Sequence, residues 1–415
     1  MSFLTDTIDF MYKKISLFQN FDYKLDAIIV GYILFIISLA LEFSVNEFRT
    51  FALLCLFVSL SGSPYLRQSL IRSEVFKLSL LFPVIALFAW LFGPHGSDGL
   101  KTFDWLFVFA IGYIAALTRP RESILLLLVL PIAILLASLV AYILTIVGYL
   151  RLEDLFYGAT RLKLYSKSTN RMGFTLAAAL AICCGLATIT GRHRLLTAAL
   201  IPIFFVLCWM TQSRSAFLAI TGVLIVYIFN DALSHRKKLS WMLLVPVVIV
   251  VTIIISGNNR ISQTLTSGSL EFLFNGREDI WRASWEIFLK SPIFGFGVDS
   301  FHDTLSEHLA ILGNEERFPG LPVPNIFWNA HQIILGVLAE MGVAGLLVFI
   351  FITVRGLRNG FRCGPEALAP LLVLIAYLIV GIGGYGFHRS WNSAFFFLSL
   401  GLIEGVHAAR KNHSE

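Results

Sequence analysis

Residues 195–210 read LLTAALIPIFFVLCWM and residues 215–229 read SAFLAITGVLIVYIF, with only TQSR, 211–214, between them. An apolar run of roughly 16 to 25 residues is long enough to cross a hydrocarbon core as a helix. Two such runs joined by four residues read as a membrane hairpin, and Arg214 stands in its turn. A turn needs no charge there. The rest of the chain repeats the pattern: of 415 residues, 57% are hydrophobic and 14% charged. A backbone in lipid must satisfy its own hydrogen bonds, so a helical bundle follows. The runs are continuously apolar rather than alternating, which excludes a transmembrane barrel.

The fold expected is an all-α integral membrane protein with about twelve transmembrane helices, near residues 26–43, 48–62, 75–93, 103–117, 122–149, 171–189, 195–210, 215–230, 241–256, 331–354, 367–386 and 392–408. These form one polytopic domain, 26–410, with a large helical external loop, 257–328, between spans nine and ten. Residues 411–415 form a short tail. The N-terminal segment, 1–25, carries Leu4, Ile8, Met11, Ile15 and Phe18 at steps of four and three, the pattern of an interfacial helix; a solvated leader helix is the alternative. No cleavable signal peptide is expected, because no basic segment precedes an apolar core.

Short loops that hold Lys and Arg face the cytoplasm. Eighteen of the 32 cations fall in one set of loops, among them Arg72, Arg119, Arg355, Arg358, Arg362, Arg410 and Lys411. Both termini are therefore expected in the cytoplasm. The formal net charge of +6 is then an orientation signal, not a nucleic-acid footprint. Cys55, Cys183, Cys184, Cys208 and Cys363 fall in spans or cytoplasmic loops, so no disulfide is expected, and none is spaced like a metal site.

The remaining cations lie on the other side. Arg49, Lys101 and Arg389 are scattered, whereas Arg151, Arg161, Lys163, Lys167 and Arg171 crowd the loop RLEDLFYGATRLKLYSKSTNR. That short loop and Arg214 run against the orientation rule. In the large loop, NGREDIWRASWEIFLKSP reads as an amphipathic helix that stops at Ser291-Pro292, with Trp281, Trp285 and Phe288 on one face. Glu278 can neutralise Arg282 four residues on. Arg277 is left for a ligand, or else pairs with Asp279. His331 follows a proline-rich stretch and opens the span HQIILGVLAEMGVAGLLVFI, near its N-terminal turn.

Arg171, Arg214, Arg277 and His331 thus fall near the outer ends of spans or on the helix above them. Two or three guanidiniums around one cavity suit a diphosphate, because each presents a planar fork of donors to phosphate oxygens. Arg282, Arg161 and Arg389 could reach the same ligand. A histidine, with an ordinary pKa of roughly 6.5, is mostly neutral near pH 7 and can accept a proton from an attacking hydroxyl. For Arg214 the bland reading is a helix-terminal residue bonded to carbonyls. No Gly-rich phosphate loop, HExxH or Asp-x-Asp motif is present. His302, Asp303, Glu307 and His308 are spaced poorly for a metal, and Glu340 inside a span is left unassigned.

With TQSRSAFLAI, NGREDIWRASWEIFLKSPIFGFGVDSF and NAHQIILGVLAEMGVAG in this order, the sequence resembles the O-antigen ligase family over about residues 171–350. The resemblance implies a metal-independent, inverting glycosyltransferase with a GT-C-like membrane fold and no cofactor. It would move a polysaccharide from undecaprenyl diphosphate to a sugar hydroxyl of lipid A-core, at the periplasmic face of the inner membrane. Carried over by motif, Arg214 and Arg277 bind the diphosphate and His331 is the base, with Arg171 matching more loosely. O-antigen polymerases share the donor and the signature. A flippase or transporter would need charges through the depth of several spans, and apart from Glu340 the spans carry almost none.

Overall fold

In a computed structural model of the chain, the residues described are 23–41, 45–92, 99, 101–157, 161–166, 168–189, 191, 193–233, 277–301, 304, 330–384, 387 and 390–414. The first half contains helices α1 (Tyr23–Leu41), α2 (Val45–Gly62), α3 (Pro64–Arg72), α4 (Glu74–Ser79), α5 (Leu81–Phe92), α6 (Lys101–Thr118), α7 (Pro120–Leu126) and α8 (Val129–Ile146). A two-residue hairpin follows, with β1 (Phe156–Tyr157) antiparallel to β2 (Arg161–Leu162) and Tyr157 opposite Arg161. Then come α9 (Thr169–Ala187), α10 (His193–Met210), α11 (Arg214–Leu233), α12 (Glu278–Lys290), α13 (Ile333–Cys363), α14 (Leu368–Gly381) and α15 (Ser390–Ser414). The interfacial segment 1–25 is described only from Tyr23. The ninth span at 241–256, most of the loop 257–328, His302, Asp303 and Arg389 lie outside the described residues.

Among the described residues, five stretches are long and apolar enough to cross a membrane: Glu74–Phe92, Lys101–Thr118, Pro120–Ile146, Thr169–Ala187 and Ile333–Gly381. Four shorter apolar helices accompany them. The outward faces of α5 and α8 carry Leu87, Trp90 and Leu91, and Leu136, Leu139, Val140 and Ile143, all exposed. Exposed apolar surface on this scale needs a partner, and on helices of this length the partner is lipid. The chain is a mostly helical, multi-pass membrane protein.

Helix α9 lies at the centre, with every residue from Met172 to Ala187 buried. Its sequence, MGFTLAAALAICCGLA, is small and apolar on all sides, as a helix surrounded by protein requires. A Cβ on Gly185 would run into the backbone of Ala369, so the last turns of α9 meet the first turn of α14 and the two helices are antiparallel. Helices α6 and α15 are parallel and nearly touch. Gly401 faces the carbonyl of Phe109 and Gly405, one turn on, the carbonyl of Tyr113, the small-xxx-small spacing that lets membrane helices approach closely.

These directions divide the bundle into two ends. The N-termini of α9, α11, α13 and α15 and the C-terminus of α14 gather at one. At the other, Arg119 pairs with Asp26 at 2.8 Å, Arg410 with Glu366 at 2.9 Å, and Arg355 with Glu74. Of the cations sorted by sequence into one loop set, Arg119, Arg355 and Arg410 lie together at this end. Glu404 is a second buried carboxylate within a span, hydrogen-bonded by Asn359, which amends the expectation that Glu340 stands almost alone.

The tenth span is not the uninterrupted helix its apolar run suggests. Helix α13 breaks at Gly342, whose φ of 63° and ψ of −165° are non-helical. The break frees two carbonyls and two N–H groups, and each unsatisfied group in a bilayer costs several kcal/mol. Residues 292–297, the PIFGFG turn, supply the partners. Phe296 and Gly297 donate to the carbonyls of Ala339 and Glu340 at 3.0 and 2.9 Å, while the N–H groups of Val343 and Ala344 bond to Pro292 and Ile293 at 2.8 and 3.1 Å. Glycine is required on both sides. A Cβ on Gly295 would strike the Glu340–Met341 peptide, and one on Gly342 the carbonyl of Ile293.

Candidate active site

The turn between α10 and α11 closes in three residues. Thr211 donates its hydroxyl to the carbonyl of Cys208 at 2.7 Å, and its Oγ1 accepts from the N–H of Ser213 at 3.3 Å. Gln212 takes the left-handed conformation, with φ 51°, and the Ser213 carbonyl begins the next helix by accepting from Phe217 N–H at 2.9 Å. Thr211 and Ser213 are buried, and Arg214, the first residue of α11, is half-buried. This corner seats on α9. An added Cβ at Gly173 would lie 2.9 Å from the Cβ atoms of both Ser213 and Ala216, so only a glycine admits the contact.

Arg171 precedes Gly173 by two residues in the first turn of α9, where the Ser168 hydroxyl caps the helix by accepting from Arg171 N–H at 3.2 Å. Arg161, on β2, reaches the same corner. Its Nε donates to the carbonyl of Thr211 and its Nη2 to Oδ1 of Asn170, both at 3.3 Å. Arg161 therefore acts as a tie between α9 and the turn, with Arg171 and Arg214 in the first turns of the two helices that meet there. Arg151, from the same cationic loop, is turned away. It is exposed, beside Glu153 at 3.4 Å, with its N–H on Asp154.

The second group forms around the turn that ends α14. His331 stands two residues before α13, in the left-handed region with φ 49°, and Gln332 caps that helix through its side chain. The Nδ1 of His331 lies 2.8 Å from the main-chain oxygen of Gly384. A carbonyl only accepts, so Nδ1 carries the proton and Nε2 of the neutral ring is the basic nitrogen. Arg277 immediately precedes α12, and a Cβ on Gly383 would be 3.7 Å from its Nη1. Guanidinium and imidazole thus address adjacent residues of one turn.

Helix α12 docks on α13 through Ile280, Ala283 and Ile287, all buried, while Trp285 is exposed and stacks near Phe288 with ring centroids 5.0 Å apart. Of the face formed by Trp281, Trp285 and Phe288, only Trp285 is exposed; Phe288 is buried and Trp281 half-buried. Arg282 is exposed on the outer side of α12, and Lys101 pairs with Asp299 just beyond the PIFGFG turn.

Sequence reasoning missed the 381–384 turn. Its signal was available: GIGGYG at 381–386, a glycine cluster closing an apolar span. It also missed the break at Gly342, since a glycine in an apolar run does not by itself announce one.

Chemically, the site end combines half-buried arginines with an imidazole oriented by its Nδ1 bond, which suits binding of a phosphate-bearing leaving group and, when the ring is neutral, removal of a proton from a hydroxyl. No curated protein matches the chain. A family model described as O-antigen ligase matches residues 198–350, a segment that holds Arg214, Arg277 and His331 together with both partners of the helix break. Over residues 198–350 the chain is thus similar to the O-antigen ligase family.

Proposed function

We propose that the protein transfers O-antigen polysaccharide from undecaprenyl diphosphate to a sugar hydroxyl of lipid A-core, at the periplasmic face of the bacterial inner membrane. The observation that carries this reading is the pairing of His331 and Arg277 on the 383–384 turn. In the proposed reaction His331 Nε2 takes the proton of the acceptor hydroxyl as its oxygen attacks the anomeric carbon. The bond from that carbon to the diphosphate oxygen breaks, and the charge that appears on the diphosphate is met by Arg277, Arg214 and Arg171. A single displacement from the face opposite the leaving group inverts the anomeric centre. The arginines supply the charge neutralisation, so the reading calls for no metal or cofactor. It goes with a GT-C-like arrangement of about twelve spans and both termini in the cytoplasm.

The test is transfer from an undecaprenyl-diphosphate-linked glycan to lipid A-core in proteoliposomes containing a chelator, with wild type, His331→Ala and Arg214→Lys compared. Loss in both folded variants, with wild type indifferent to the chelator, supports the reading. If wild type elongates the lipid-linked glycan and leaves lipid A-core untouched, the protein is a polymerase. Full transfer by His331→Ala removes the proposed base.

A further inference from the structure

The end of the bundle remote from His331 holds two adjoining cavities of about 350 and 360 Å³ that share Glu74, Arg355 and His407 as walls. Arg72 and Lys411 line the first, Arg358 and Arg362 the second. Arg355, Arg358 and Arg362 follow one another along a single face of α13, at steps of three and four. The nearby acids are already engaged, Glu74 by Arg355 and Glu404 by Asn359. A positive balance therefore remains around the cavities. The orientation rule asks only for cations in loops; it does not ask for cations of α3, α13 and α15 to converge on one hollow.

The second cavity is also walled by Leu78, Phe351 and Val354, and Phe351 and Val354 are 61% and 57% exposed on the lipid-facing side of α13. A free anion has no use for such a wall. We propose that these cavities bind the phosphate headgroup of an anionic membrane lipid, with its acyl chain lying against Phe351 and Val354. Guanidiniums hold phosphate oxygens through paired donors, and basic pockets between helices at a membrane surface hold lipid headgroups in this way.

The experiment is native mass spectrometry of the detergent-purified full chain, titrated with phosphatidylglycerol or with phosphatidylcholine of the same acyl chains. Wild type should retain phosphatidylglycerol preferentially. Arg358→Ala/Arg362→Ala, both exposed positions, should retain it at least about tenfold more weakly, as should Arg72→Gln/Lys411→Gln, whose changes fall on different helices. Arg151→Ala, which removes a cation elsewhere, should match wild type. Equal retention by wild type and both double variants, or an equal loss in Arg151→Ala, overturns the proposal. So does displacement of phosphatidylglycerol by millimolar inorganic phosphate, which would make the ligand a free anion.

Discussion

His331 and Gly384 are joined by a 2.8 Å hydrogen bond from the imidazole Nδ1 to the main-chain oxygen, across 53 residues of sequence. The bond fixes both the tautomer and the direction of the ring, and the left-handed backbone at His331, φ 49°, turns the side chain back over the end of α14. A ring held this way loses no further freedom when a ligand binds beside it.

Because an ordinary side chain is strained at that backbone angle, alanine there confounds folding with chemistry. Asparagine tolerates the left-handed region and can donate to Gly384, but it is no base. His331→Asn is expected to keep the thermal midpoint near wild type while the rate of transfer falls about 10²- to 10⁴-fold. A rate within a few-fold of wild type in reconstituted vesicles would remove His331 from the chemistry.

Arg161 bonds two acceptors on different elements, and a lysine ammonium has no planar fork to match them. Arg161→Lys should lower stability by about 1–2 kcal/mol and loosen the Arg214 corner, so that KM for the lipid-diphosphate donor rises with kcat little changed. Thermal unfolding in detergent and steady-state kinetics read the two effects. A fall in kcat alone would point to a direct role of Arg161 in the reaction.

The helix break discriminates sharply between glycines. Gly342→Ala puts a methyl group into the Ile293 carbonyl at a strained backbone angle, a combination expected to cost about 3 kcal/mol or more. Gly148, at φ 82° with open space around it, should accept asparagine with little loss. Fluorescence-detected size exclusion after graded heating compares them; equal survival would mean that the 292–297 turn does not hold the break.

Lys101 and Asp299 are each about one third exposed, so screening limits their pair to less than about 1 kcal/mol. Lys101→Met is expected to unfold within a degree or two of wild type, by roughly the same limit, and to transfer glycan at the wild-type rate. A large loss of transfer with stability intact would bring Lys101 into the substrate path.

The sequence revealed the membrane class, and it placed Arg171, Arg214 and His331 near ends of spans, where the structure also has them. Hydropathy and loop charge are local properties, and each of those features is written locally. Contacts between distant segments were not legible. Nothing around residue 331 indicates that its partner lies at 384, and the apolar run from 333 onward conceals the break at Gly342 because the groups that heal it belong to residues 292–297. Arg161 counted as one of several candidate phosphate ligands, yet its two hydrogen bonds make it a brace for the corner.

The healed break in α13 also governs reach. Four main-chain hydrogen bonds sew the segment just after α12 into the middle of α13, so the helix headed by Arg277 and the helix headed by His331 form two legs of one rigid caliper. Its span is set by peptide geometry, out of reach of any rotamer change. Arg214 stands on the separate α10–α11 hairpin, which is tied to α9 and not to this caliper, so any change in its distance from His331 needs a shift between helices.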